Sequence, residues 1–262
     1  MSVHPTAIVS PGARLGAGVS IGPFAVIEDG AIVGDECEIR AHAVVKSHVV
    51  LGRANRVHEG AVIGGEPQDL GFKGGETCVV IGDRNVLREG VTIHRSTQPG
   101  GQTTLGSDCF LMAYVHLGHD SRVGDHVIIA NNTALGGHVQ VDERAFISGN
   151  VSVHQFCRIG RLAMLGGSSK AVQDCLPFVT CDGQIARARG LNVVGLRRAG
   201  VGSEQRRTLK EAYRLLLRSG LHREQALERL TALADPLVDE LVAFVRGSKR
   251  GFAHGARGTG DV

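Results

Sequence analysis

The chain has 262 residues, a formal net charge of +3 at pH 7 and 42% hydrophobic residues, which is enough for one or two globular domains. No apolar run approaches the roughly 20 residues of a membrane-spanning helix, so we expect no stable membrane insertion. The six Cys lack metal-type and redox spacings, which predicts reduced thiols and a cytoplasmic location. No motif of the nucleic-acid-binding proteins is present, so we expect no nucleic-acid partner.

The first two thirds of the chain carry a six-residue repeat. Every sixth residue from Val3 to Leu165 is aliphatic, except Asp69, Gly75 and Pro99. A period of six fits neither an α-helix nor a flat strand, but it is typical of hexapeptide solenoids, in which three units close one triangular coil. We therefore predict a mainly β fold, with a parallel β-helix of hexapeptide repeats over residues 1–186.

Two segments leave the repeat and return to it in phase. They lie near residues 64–80 and 97–103. Such loops can be inert, but loops on a rigid scaffold commonly carry binding groups, so these two loops are candidates for part of a functional site.

The repeat ends before residue 187, and residues 187–262 are predicted to form a small α-helical domain. We expect helices over 203–219, with Ser203 as N-cap, over 223–233, and from Asp235–Pro236 to about Val245. Basic residues cluster between Arg187 and Arg218. This cluster is either a solvated helix face or a docking surface for an acidic partner or phosphates.

The positions of the histidines indicate a candidate catalytic site. Leu117, Leu135 and Val153 are 18 residues apart, so the coils stack them in one column and bring four nearby imidazoles to one edge of the prism: His116, His119, His138 and His154. The other histidines, His94 among them, are expected at surface or corner positions.

Two chemistries suit such an edge. A zinc site needs three convergent ring nitrogens, whereas acyl transfer needs one neutral His as general base and backbone N–H groups for an oxyanion. His119 is followed by Asp120, and a carboxylate beside the ring can orient it and raise its basicity, which favours acyl transfer. Gly136 and Gly137 offer unshielded backbone beside His138.

At the level of motifs the chain resembles the UDP-N-acetylglucosamine 3-O-acyltransferase family of lipid A biosynthesis. The resemblance covers all but about the last dozen residues. The matching stretches are Gly-Pro-Phe at 22–24, Lys-Ser-His-Val-Val at 46–50, Pro-Gln-Asp-Leu at 67–70, Ile-Gly-Asp-Arg-Asn at 81–85, Val-Thr-Ile-His-Arg at 91–95, Gly-His-Asp at 118–120, Ala-Asn-Asn at 130–132, Val-His-Gln-Phe-Cys at 153–157, Leu-Asn-Val-Val-Gly-Leu-Arg-Arg at 191–198 and Ala-Tyr-Arg-Leu at 212–215.

The resemblance implies a left-handed β-helix, a homotrimer, and transfer of a 3-hydroxyacyl group from acyl carrier protein to UDP-N-acetylglucosamine. The donor brings its own phosphopantetheine, so no cofactor and no metal are expected. His119 is implied to be the general base, Asp120 its orienting partner, the Gly137 N–H the oxyanion donor and Gly167 the determinant of acyl length. The residues implied to bind the substrates are Asp69, Lys73, His116, His138, His154, Gln155, Asn192 and Arg198.

The chain departs from the family at two positions, and several alternatives stay open. Gly71 stands where better-known members have Lys, with Lys73 two residues later, and Val194 stands where they have Glu. The alternatives are a related N-acyltransferase or another sugar-nucleotide acyltransferase, a coenzyme A acetyltransferase, a zinc carbonic anhydrase and a non-catalytic scaffold. The sequence leaves open the acyl length and whether the acceptor bears a 3-hydroxyl or a 3-amino group.

Overall fold

Three parallel sheets form the faces of a triangular prism in the computed structural model, which describes residues 1–255. Consecutive strands lie in sheets A, B and C in turn, so each coil gives one strand to each face and turns at the A–B, B–C and C–A edges. Sheet A has 11 strands, sheet B has nine and sheet C has eight. This is the hexapeptide β-helix that the repeat predicts, with the left-handed coil that the family resemblance implies.

The strands are short, and most contain two residues. In chain order β1 to β28 are Ser2–Val3, Ile8–Val9, Arg14–Leu15, Ser20–Ile21, Val26–Ile27, Ile32–Val33, Glu38–Ile39, Val44–Val45, Val49–Leu51, Arg56–Val57, Val62–Gly65, Cys78–Ile81, Val86–Leu87, Thr92–His94, Gln102–Leu105, Phe110–Leu111, His116–Leu117, Arg122–Val123, Ile128–Ile129, Ala134–Leu135, Gln140–Val141, Phe146–Ile147, Ser152–Val153, Arg158–Ile159, Met164–Leu165, Lys170–Ala171, Val179–Asp182 and Arg187–Leu191. The last two form an antiparallel hairpin at the end of sheet A, which the repeat does not predict.

The aliphatic column fills the prism interior. Leu117 pairs with Leu135 and Leu135 with Val153 in sheet B, as their 18-residue spacing predicts, and Leu117 and Leu135 are fully buried. Cys37 and Cys109 are buried in the second inward column, where a narrow prism has room only for small side chains.

Four helices follow the hairpin. The predicted N-cap Ser203 is the first helical residue instead, with Gly202 as the cap. Asp235 caps the last helix as predicted, because its carboxylate accepts the Leu237 N–H. The first helix is too short for its periodicity to be read from the sequence. Helices α1 to α4 are Val193–Arg198, Ser203–Leu217, Arg223–Thr231 and Pro236–Gly247.

The last helix is fixed to the end of the prism. The guanidinium of Arg161 pairs with Glu240, with Nη2 2.6 Å from Oε2, and that of Arg158 lies 4.0 Å from the ring centroid of Phe244. These contacts hold the helices against the last coils.

No helix within residues 1–255 is both long enough and apolar enough to cross a membrane. The division of the chain at residues 186 and 187 stays a prediction. The sequence from Gly247 onward is Gly-rich and basic, which predicts a frayed tail, and residues 256–262 of it lie outside the described part of the chain.

Candidate active site

The two predicted loops and the histidine turns meet at the B–C edge. One loop joins β11 to β12 over residues 66–77, and the other joins β14 to β15 over residues 95–101. Both therefore leave the prism at the edge where the turns after β17, β20 and β23 lie. A cavity of about 410 Å³ opens there, lined by Gln68, His94, His116, Gly118, His119, Ala134, Leu135, Gly136, Gly137, Ser152, Val153, His154 and Gln155.

The side chains of His119 and Asp120 are hydrogen-bonded, with His119 Nδ1 2.8 Å from Asp120 Oδ2. Neighbouring residues of a strand point to opposite faces, so this contact needs a corner conformation, and Asp120 adopts it with a φ of 60°. The two side chains are only 12% and 9% exposed.

The Asp120 carboxylate is held by the loop at residues 95–101. The Ser96 hydroxyl donates to Oδ1, while Oδ2 accepts the Thr97 hydroxyl at 2.8 Å and the Thr97 N–H at 3.1 Å. Burial by itself would raise the pKa of Asp120, but the hydrogen bonds from Ser96, His119 and Thr97 outweigh it and lower the pKa to about 2. Ser96 and Thr97 are site residues that the sequence motifs do not reveal; the phase-restoring loop is the signal that points to them.

This hydrogen bonding decides which ring nitrogen of His119 carries the proton. An ionised carboxylate only accepts hydrogen bonds, so Nδ1 of a neutral His119 must be the donor to Asp120. The other nitrogen, Nε2, then has a free lone pair. A neutral imidazole in this tautomer can act as a general base through Nε2.

Gly137 lies against the same ring. A Cβ at residue 137 would be 2.5 Å from His119 Nε2, so only glycine leaves room for the imidazole in this position. Within residues 1–255 the Gly137 N–H donates to no acceptor. The ring nitrogen that is free to take a proton therefore lies against the residue whose backbone N–H has no acceptor within residues 1–255, and an acyl-transfer site requires both groups.

His116 and His94 form a neutral polar wall of the cavity. His116 Nδ1 lies 2.8 Å from the Thr92 hydroxyl. The rings of His94 and His116 meet edge to face, with their centroids 4.8 Å apart. Burial, with smaller contributions from His94 and His119, lowers the pKa of His116 to about 4, and burial also lowers the pKa of His94. His94 ends β14 at the B–C edge, a corner position as expected, and it also lines the cavity. The loops shift the count along the chain, so that Ile93 pairs with Leu117 across 24 residues rather than 18.

The other predicted histidines lie on the same edge. His138 Nε2 is 3.6 Å from Asp120 Oδ2, and its ring stacks on Phe156 at 4.6 Å. His154 and Gln155 line the cavity and are exposed. Donor atoms of His119, Asp120 and His138 lie within 4.8 Å of one another, a set that could hold a metal ion. It contains two imidazoles, not the three that a zinc anhydrase site needs, as far as residues 1–255 show.

Asp69 and Lys73 do not line the cavity. Both are exposed in the loop at residues 66–77, where the Asp69 carboxylate accepts the Gly71 N–H at 2.7 Å and closes a turn. Their neighbour Gln68 lines the cavity instead.

Asn192 and Arg198 line a second cavity of about 600 Å³ on the outer face of sheet A. Both polar atoms of the Asn192 side chain are hydrogen-bonded within the chain. Its NH₂ group donates to the Leu162 carbonyl at 2.9 Å, and its oxygen accepts the Gly195 N–H at 3.0 Å and so caps α1. Gly167 lies at the A–B edge. Sheet A is the face opposite the B–C edge in a triangular prism, so within one chain these residues are apart from His119.

Comparison with known proteins assigns the family. Residues 12–47 and 102–137 match the family model described as bacterial transferase hexapeptide, and residues 174–253 match the model described as UDP N-acetylglucosamine O-acyltransferase, domain 2. The acyl-[acyl-carrier-protein]--UDP-N-acetylglucosamine O-acyltransferase of Burkholderia lata is 48% identical over 256 residues, which are 95% of this chain and 98% of that protein. The chain belongs to this acyltransferase family.

Solved structures agree over the whole fold of the acyltransferase. The UDP-N-acetylglucosamine acyltransferase of Francisella novicida superposes with a TM-score of 0.94 at 34% identity, covering 97% of this chain and 95% of that one. The UDP-N-acetylglucosamine O-acyltransferase of Moraxella catarrhalis gives a TM-score of 0.93 at 38% identity, covering 97% and 100%. The predicted family and enzyme class are confirmed, while the roles of individual site residues stay predictions.

Proposed function

We propose that this acyltransferase moves a 3-hydroxyacyl group from acyl carrier protein to the 3-position of UDP-N-acetylglucosamine, the first step of lipid A biosynthesis. The relative from Burkholderia lata, almost half identical along its whole length, is named for this donor and this acceptor. The observation that carries the proposal is the placement of the His119 ring between the Asp120 carboxylate and the Gly137 backbone.

The reaction begins with proton removal from the acceptor. His119 Nε2 takes the proton of the sugar 3-hydroxyl as its oxygen attacks the thioester carbonyl carbon of the donor. Nδ1–H stays bonded to Asp120, whose carboxylate stabilises the imidazolium that forms. Asp120 keeps its charge throughout, because its pKa of about 2 lies far below neutral pH.

The attack places negative charge on the carbonyl oxygen, and the Gly137 N–H stabilises that oxyanion. When the tetrahedral intermediate collapses, the carbon–sulfur bond breaks and the thiolate of the pantetheine arm leaves. The imidazolium of His119 returns its proton to the sulfur, which yields the sugar ester and the free carrier thiol. Side chains and backbone supply every step, so the proposal needs no cofactor and no metal at this edge.

The remaining cavity residues hold the two substrates. His116 and His94 are neutral at physiological pH, so they offer hydrogen bonds rather than charge to the sugar. His138, His154 and Gln155 follow along the edge toward the helical end of the prism. Asp69 and Lys73 lie in the loop at residues 66–77, whose Gln68 lines the cavity, and they would approach the acceptor from that loop.

A homotrimer completes the site. Asn192, Arg198 and Gly167 lie on a face or edge of the prism that the B–C edge of the same chain does not reach. In a second chain with a parallel axis, sheet A can pack beside the His119 edge of the first chain. A closed ring of three chains repeats this contact three times, so that every His119 edge faces a neighbour's sheet A. Each site then joins the base of one chain to the substrate-binding residues of its neighbour.

The carrier protein docks on the basic cluster of the helical domain. Arg189, Arg207, Lys210, Arg214 and Arg218 line one cavity beside Tyr213. The Arg214 guanidinium is already paired with Glu211 at 2.6 Å, but Lys210 has no such pair within residues 1–255. Acidic carrier surfaces and free basic side chains attract one another over about 8–10 Å at physiological salt. With its reduced thiols, the enzyme is proposed to work in the cytoplasm.

The direct test is product analysis. The purified enzyme is incubated with 3-hydroxyacyl carrier proteins of mixed chain length and UDP-N-acetylglucosamine, and the products are identified by mass spectrometry. We expect a monoacylated sugar nucleotide that hydroxylamine cleaves as an ester. Preference for a 3-amino acceptor, with a hydroxylamine-resistant amide as product, or transfer from acetyl coenzyme A instead of the carrier, would contradict the proposal.

A further inference from the structure

A second cluster of polar side chains lies at the A–B edge, away from the histidine turns. It consists of His58, which follows β10, its neighbour Glu59, and Glu89, which lies in the turn after β13 on the next coil. His58 Nδ1 is 3.4 Å from Glu89 Oε1 and 3.6 Å from Glu59 Oε2, and all three donor atoms lie within 4.8 Å of one another.

His58 is the unusual member of this cluster. The residue is only 7% exposed, yet its Nδ1 has no hydrogen-bond partner within residues 1–255. A buried ring nitrogen without a partner loses free energy unless something else satisfies it. The nitrogen lies within 3.6 Å of an oxygen of each carboxylate, and the Glu59 and Glu89 side chains are 47% and 37% exposed, so a solvated ion can reach all three groups.

We propose that His58, Glu59 and Glu89 form a binding site for a divalent transition-metal ion of the zinc type. Ligands at 2.0–2.2 Å around a tetrahedral zinc ion are separated by about 3.3–3.6 Å. The two nitrogen-to-oxygen distances in this cluster fall in that range, so the side chains need little movement to bind. One imidazole and two carboxylates suit zinc, and the fourth position is open to water.

The charges around the cluster allow this ion. Burial, with repulsion from Arg40 and Arg88, lowers the pKa of His58, so the imidazole is neutral at pH 7.5 and can bind a metal. The Arg88 guanidinium lies 2.9 Å from Glu89 Oε1, and that of Arg40 lies 4.0 Å from Glu59 Oε1. These two cations compete with the ion for the carboxylates, which makes the site weaker than a closed structural zinc site.

The expected consequence is structural. Strands β10 and β13 are neighbours in sheet A, but the loop at residues 66–77 lies between them in the chain. An ion held by His58 and Glu89 links the coil before the loop to the coil after it. A metal that binds only the folded chain raises its melting temperature, while the chemistry at the B–C edge does not use this ion.

The experiment titrates the metal-free, full-length enzyme with Co²⁺ and Zn²⁺ at pH 7.5. We expect one ion per chain, the visible absorption bands of tetrahedral Co²⁺, and a higher melting temperature with zinc. His58→Ala and Glu89→Gln should each weaken binding at least tenfold and leave metal-free acyl transfer unchanged. Glu143→Gln is the matched control: Glu143 likewise pairs with the guanidinium of the adjacent residue, Arg144, at 2.8 Å, but within residues 1–255 it has no ion pair with a histidine.

The donors at the B–C edge are the competing site, and a His138→Ala variant separates the two. Binding that survives His138→Ala and is lost in His58→Ala supports the proposal. Binding lost in His138→Ala and kept in His58→Ala would place the ion among the active-site groups. The proposal is also overturned if wild type shows no cobalt bands and no zinc-dependent change of melting temperature. Because the reaction needs no ion, either failure leaves the acyltransferase proposal standing.

Discussion

Replacing Gly137 with Ala tests whether the His119 ring works in the position in which the structure holds it. The added Cβ would lie 2.5 Å from Nε2 and 3.0 Å from Nδ1 of that ring. Carbon and nitrogen atoms without a hydrogen bond approach to about 3.5 Å, so the ring must move by about 1 Å. Asp120 holds Nδ1 at 2.8 Å, which prevents the ring from moving without loss of that hydrogen bond. A misplacement of about 1 Å costs on the order of 10²-fold in rate.

The assay is initial-rate acyl transfer at saturating substrates, together with thermal unfolding of the same samples. Gly137→Ala should lower turnover by about 10²-fold and keep a cooperative unfolding transition. Gly190→Ala is the control, because a Cβ at residue 190 meets no atom within 4 Å, and its turnover should match wild type. If Gly137→Ala keeps more than a third of wild-type turnover, the ring does not work from this position.

Further predictions concern stability, docking, assembly and acyl length. The pKa of His116, lowered to about 4, lies below the value near 6.5 of the unfolded chain, so the folded state loses up to about 3 kcal/mol as the pH falls from 6.5 to 4. His116→Gln should therefore flatten the acid side of the unfolding free energy in urea titrations, and an unchanged pH dependence would contradict the buried neutral ring. Reversing Arg207 and Lys210 to Glu should raise the KM for the acyl carrier protein at low salt and less at high salt, whereas salt-independent kinetics would mean that the cluster is only solvated. Light scattering at micromolar concentration should give three times the chain mass, and a monomer would rule out the shared site. Gly167→Met should shift the preferred acyl chain to shorter lengths in a mixed donor pool, and an unchanged preference would remove Gly167 from the acyl groove.

The architecture of the prism could be predicted because one local rule repeats along the chain. An aliphatic residue every six positions sets the coil, and the spacing of Leu117, Leu135 and Val153 places their neighbours on one edge. The 18-residue spacing does not place His94 on this edge, because the loops at residues 66–77 and 95–101 lengthen their coils by 12 and six residues. Ile63 pairs with Ile93 and Ile93 with Leu117, so the column is kept while the spacing changes.

Features outside the repeat could not be predicted in this way. The hairpin of β27 and β28 and the short helix α1 carry no period long enough to recognise. The hydrogen bonds from Ser96 and Thr97 to Asp120 depend on the folded conformation of the loop at residues 95–101, which a sequence pattern does not determine. The separation of Asn192 from His119 is a property of the closed prism, and the sequence motifs of one chain do not reveal it.

His119 is proposed to remove the proton from the acceptor hydroxyl, and the single-turnover rate of His119→Ala with saturating acyl carrier protein and sugar nucleotide tests this role most directly. A general base is worth about 10²–10⁴-fold in rate, so we expect the rate to fall at least 10²-fold. The melting temperature should stay close to that of wild type, because the buried Leu117 column is untouched. A variant that keeps more than a tenth of the wild-type rate would show that another group removes the proton.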